Sequence, residues 1–170
     1  MADIATLFEE ALATWAAARK GVIAEFENIP ESDYDYRPAA EARSIAELAR
    51  HIAAAGLVFS GELAREDADF SRRPIHALYQ EYAGHLSATA SKSELLAMLQ
   101  DTWTETERKL RAAGPGGMLE QIRGVGGETM TRLSVVHLGI SHENYHRGQV
   151  AVHARSLGLV PALTRMFQTA

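Results

Sequence analysis

The chain has no cysteine among its 170 residues. That removes disulfides, thiol nucleophiles and cysteine-based metal sites together. Basic residues are also few: 17 Lys and Arg stand against 22 Asp and Glu, for a formal net charge of −5. They form no run, and a protein that grips a phosphate backbone needs a concentrated basic footprint, so nucleic acid is not an expected partner. No apolar run approaches the roughly 18 residues that suggest a membrane-spanning helix. The first residues, MADIATLFEEALATW, are acidic where a secretory leader would be basic. Ala2 stands where myristoylation requires glycine, and prenylation lacks its cysteine. These absences fit a cytoplasmic protein with no membrane attachment.

What is present points to helices. Alanine is abundant and spread through stretches free of Gly and Pro. From Asp3 to about Asn28, Ile4, Leu7, Phe8, Leu12, Trp15, Val22 and Phe26 recur at spacings that build one apolar stripe. Pro30 and Pro38 bracket a polar loop. Ser44 with Glu47 makes a capping box opening a second helix to about Arg65, its inner face formed by Ile45, Leu48, Ile52, Ala55, Phe59 and Leu63. A short helix is expected within 75–90. A third long helix spans Ser93 to about Ala113, with Leu95, Leu96, Leu99, Trp103, Thr106 and Leu110 inward. Residues 114–128 hold six glycines and a proline, a long irregular connection with room for a short hairpin. A fourth long helix runs from about Arg132 to Leu157, with Gly158 at its C′ position and Pro161 beyond. Four long amphipathic helices without a convincing strand indicate an all-α four-helix bundle, in a single domain over 1–170. The long Gly-rich connection before the last helix argues against simple up-down-up-down topology.

Histidine carries the chemistry. His142 and His146 lie four apart on a helix, so their imidazoles project from one face and can chelate one ion. Residues 142–146 also match the zinc-peptidase pattern H-E-x-x-H, with Glu143 as would-be base. That reading fails downstream: no Asp or Glu follows Glu143, and Val152 occupies the place of a third histidine. Glu143 and His146 match E-x-x-H, half of a di-iron site, but no second copy exists. A third ligand must lie upstream. His51 is the best candidate, flanked by the small residues Ala53, Ala54, Ala55 and Gly56 that would let another helix approach. A lone mid-helix histidine is nonetheless more often a packing residue.

At these residues the chain resembles the DinB family of four-helix-bundle proteins, the DinB/YfiT-like metalloenzymes. The final-helix signature H-x-x-x-H-R-G-Q appears as His142, His146, Arg147, Gly148 and Gln149. The capped second helix with L-x-x-H-I appears as Ser44 through Leu48, His51 and Ile52. The loop Tyr34 to Pro38, the third-helix start Ser93-Glu94-Leu95-Leu96 and the Leu157-Gly158 ending are also similar. The resemblance implies one divalent ion, zinc or nickel foremost, on His51, His142 and His146, with water completing the shell. It also implies thiol-dependent S-transferase-like chemistry, since several relatives use low-molecular-weight thiols.

Helical geometry sorts the neighbours. His137 points about 140° away from His142, and His153 returns to the ligand face roughly 16 Å along the axis, too far to share the ion. His153 is expected to be a core or surface residue, or to line a channel. Gly148 is expected to permit close helix contact, Gln149 to hydrogen-bond near the metal or cap a neighbouring loop, and Arg147 to form an ion pair, with anion binding as its alternative. Glu143, about 100° off the ligand face, is the candidate general base, although a salt-bridging surface residue is the more usual reading of such a position. Trp15, Trp103 and Tyr145 are expected in the core or at an interface, His76 and His85 at the surface. The expected activity is that of a metal-dependent transferase or hydrolase in which an ion activates water or a small thiol cosubstrate. A non-catalytic metal-binding helical interaction protein is the alternative, with small molecules as partners and homodimerisation through spare apolar stripes.

Overall fold

The computed structural model describes residues 3–87 and 91–168. Ala2 and the final positions of the 75–90 segment lie outside the described residues. Helix α1 spans Ile4–Glu27, α2 Ile45–Leu63, α3 Ile75–Ala83, α4 Lys92–Ala113, α5 Arg132–Ser156 and α6 Ala162–Gln168. Strands β1 (Gln121–Arg123) and β2 (Thr129–Thr131) pair antiparallel in the connection before α5, the short hairpin for which the Gly-rich segment left room.

Local chemistry sets the helix ends. Asp3 accepts a hydrogen bond from the Thr6 amide at 2.8 Å and caps α1. Ser44 and Glu47 form the expected capping box of α2. A second box, Ser91 with Glu94, starts α4 one residue earlier than the sequence suggested. Gly158 ends α5 in the left-handed region at φ 77°, where glycine carries no Cβ penalty.

The four long helices do not follow one another around the bundle. α1 packs on α5 and α4, and α2 packs on α4 and α5. Consecutive α1 and α2 are therefore diagonal partners, and so are α4 and α5. The connections 28–44 and 114–131 are long because each must cross the bundle. Within α1, Phe8, Leu12, Trp15, Val22 and Phe26 are buried as the stripe requires, while Leu7 is 46% exposed on its flank. Trp15 and Trp103 meet in the core with centroids 5.9 Å apart. Gly139 and Gly61 are glycines that close packing demands, because a Cβ would enter the Trp15 ring at the first and the Tyr82 ring at the second. The expectation for Gly148 is corrected: a Cβ at that exposed position would meet nothing. No helix among the described residues is long and apolar enough to cross a membrane.

Candidate metal centre

The site forms where α2 meets α5. His51 stands on the half-buried edge of α2, beside Ile52 and Ala53, which have no exposed surface. His142 and His146 stand one turn apart on α5. Their three Nε2 atoms form a triangle with every side 3.1 Å. A divalent ion bound by three imidazoles at roughly 2.0–2.1 Å would hold them about 2.9–3.4 Å apart, depending on the angle at the metal. The triangle fits that range, and the three residues could hold a metal ion. Among the described residues no further His, Asp or Glu joins the group.

Each ring is held in place. His146 Nδ1–H donates to Gln149 Oε1 at 2.7 Å, leaving the Nε2 lone pair free for an ion. His51 stacks on Tyr79 at 5.9 Å with an interplanar angle of 12°. Phe59 meets His142 edge-on at 5.8 Å. The electrostatics favour neutral imidazoles. Burial pushes His51 down to about 4, and the charges of Arg43 and His146 add to that. Burial, followed by the other two rings, takes His142 to about 3. His146 is also lowered, chiefly by burial, although its bond to Gln149 pulls the other way. Neutral rings offer the lone pairs that a cation needs.

Glu143 turns to the other side of α5. Its carboxylate, 1% exposed, accepts from Trp15 Nε1 at 3.1 Å and from Arg19 Nε at 2.9 and 3.0 Å. Arg19 Nη1 then donates to the Leu99 carbonyl at 2.6 Å and to Thr102 Oγ1 at 3.2 Å. Both carboxylate oxygens are thus engaged in a buried ion pair joining α5, α1 and α4. Arg19 itself was not singled out in the sequence, although its place four residues after Trp15 and three before Val22 continues the apolar stripe. A charged residue on such a stripe signals a buried partner.

The remaining expectations sort by exposure. His76, His85 and His137 are exposed. Arg147 lies 4.0 Å from Glu25 and covers Gly21. Tyr145 is not in the core: it is 65% exposed, and its ring meets His146 edge-on at 5.0 Å. His153 is buried, its ring nitrogens 2.8 Å from the Gln149 carbonyl and 3.2 Å from the Arg43 carbonyl. A cleft of about 700 Å³ is bounded by Arg43, Tyr145, Gln149, Val152 and His153, and meets the triad through Gln149 and Tyr145, which contact His146.

The sequence matches the DinB family over residues 1–169. The chain belongs to the DinB family. Two solved structures share this DinB fold. The DinB-like protein YjoA of Bacillus subtilis is 20% identical, with a TM-score of 0.67 over 88% of this chain and 92% of its own. YfiT of Bacillus subtilis, described as a probable metal-dependent hydrolase with an unusual four-helix bundle topology, is 15% identical. Its TM-score is 0.69 over 89% of this chain and 88% of its own. No curated protein matches the sequence.

Proposed function

We propose that this DinB protein is a mononuclear metal-dependent enzyme acting on a small molecule. The observation that carries this reading is the triangle of three Nε2 atoms, 3.1 Å on each side, with no fourth protein ligand among the described residues. Three protein ligands with a position left open is the pattern of catalytic sites, whereas structural sites close their shell. The open position favours an enzyme over a purely structural link between α2 and α5.

A divalent ion bound there, zinc or nickel, would supply Lewis acidity that favours the deprotonated form of a water or small thiol. The chain's own residues do the rest. His51, His142 and His146 would hold the ion, and Gln149 fixes the His146 tautomer. Tyr79 and Phe59 keep the other two rings from turning. The adjoining cleft admits a small substrate. Because the chain has no cysteine, sulfur chemistry would require a low-molecular-weight thiol as cosubstrate. The description of YfiT as a probable metal-dependent hydrolase supports water as the other nucleophile. Glu143 serves as a positioning residue in this reading, since Arg19 and Trp15 engage its carboxylate.

Elemental analysis of untagged protein tests the proposal, with His51→Ala and His142→Ala beside the wild type. The expected result is about one zinc or nickel per chain, lost in both variants, with turnover in a panel of ester, amide and thiol-transfer substrates. A wild type that holds no metal after incubation with either ion overturns it.

A further inference from the structure

Arg43 sits at the edge of the three-histidine centre without an assigned role. It is the last loop residue before Ser44 caps α2, its side chain is exposed, and it helps to line the 700 Å³ cleft. Its backbone is pinned to α5 by the contact between its carbonyl and His153. Among the described residues it forms no ion pair. Arg37, on the same loop, differs: its guanidinium grips Glu47 with two bonds of 2.5 Å. Glu47 is thereby occupied, and Arg43 is left without an ion pair of its own among the described residues. Its field reaches all three rings, where it disfavours protonation.

We propose that Arg43 binds the carboxylate of a small organic acid that lies in the cleft and reaches toward the three histidines. This rests on the reading of the triad as a metal centre. A guanidinium presents paired donors in a planar fork that matches a carboxylate, and that of Arg43 is not taken up by an ion pair within the protein. A single negative charge fits better than two, because Arg43 is the only Lys or Arg lining the cleft and Glu41 stands on the same rim. Pro38, Leu48, Val152 and the Tyr145 ring supply apolar walls for a hydrocarbon body. The cleft volume lies within the roughly 300–1,000 Å³ usual for small-molecule sites.

The test compares 3-phenylpropionate with its neutral isostere 3-phenylpropionamide, titrated by NMR against wild-type, Arg43→Gln and Arg43→Lys protein, each zinc-loaded and metal-free. Wild-type protein is expected to prefer the acid by about tenfold, the scale of one charge-assisted hydrogen bond. The preference should vanish in Arg43→Gln and partly return in Arg43→Lys, while zinc content stays equal in all three. Equal affinities in the wild type, or a preference that survives in Arg43→Gln, would overturn the assignment. Zinc content, measured on the same samples, judges the metal centre separately. If the wild type holds no zinc, the metal reading falls, and the acid–amide comparison on metal-free protein still decides the role of Arg43.

Discussion

Gln149 determines which nitrogen of His146 carries the proton, and this makes it the most informative single position around the centre. With its amide oxygen 2.7 Å from Nδ1, the ring presents Nε2 toward the other two histidines. Loss of such a supporting hydrogen bond commonly weakens metal binding by about 10- to 100-fold. Gln149→Leu is expected to fall in that range by competition with a chelator, and unchanged affinity would show that the bond is idle. The rings also impose a pH dependence on the metal-free protein. Their folded values, about 4 for His51 and about 3 for His142, lie below the ordinary histidine value near 6.5. Between those limits the unfolded chain binds protons that the folded one refuses, so stability rises with pH across that window and falls on acidification. Urea midpoints measured from pH 7.5 down to 4.5 should drop, and the drop should shrink in a His51→Gln, His142→Gln double variant. The i,i+4 pair could be found in sequence because helical periodicity is local. Arg43 could not, because a loop residue before a cap has no pattern that marks it.

At the scale of elements, α5 carries two sites on two faces. One face offers His142 and His146 to α2; the other drives Glu143 into Arg19 of α1, whose guanidinium also reaches α4. Removing one member of a buried pair strands the other charge, at a cost of about 3–5 kcal/mol, whereas replacing both by apolar residues costs far less. Arg19→Met and Glu143→Met should each destabilise on that scale in urea, and the double variant should recover much of the loss. Additive losses would mean that the two charges do not depend on each other. Helix boundaries were legible from sequence wherever a cap is encoded locally, as at Asp3, Ser44 and Gly158. Partners were not, since nothing near Glu143 names Arg19, 124 positions earlier. Gly148 and Gly139 make the same point. The first sits in the signature segment and packs against nothing, while the second admits Trp15 from a distant helix.

The whole molecule places two pairs of consecutive long helices, α1–α2 and α4–α5, on diagonals, and this shapes how it comes together in time. α1 cannot pair with α2, nor α4 with α5, as an early helical hairpin, so many native contacts join segments far apart in the chain. Folding is expected to be slow for an all-α protein, since distant contacts require large loops to close first. His51 and His146 are 95 positions apart, and the triangle is complete only once α2 and α5 have docked. An ion added during refolding would meet only the His142–His146 pair until then. Stopped-flow refolding rates should therefore be nearly the same with and without zinc, while unfolding rates in zinc should fall in proportion to the stability gained. That partition is expected for an interaction absent from the transition state. Equal acceleration of refolding would place α2–α5 docking before the barrier. On this account the three histidines act as a latch that closes last, so a bound ion would govern how long a molecule stays folded and would have little effect on how soon it gets there.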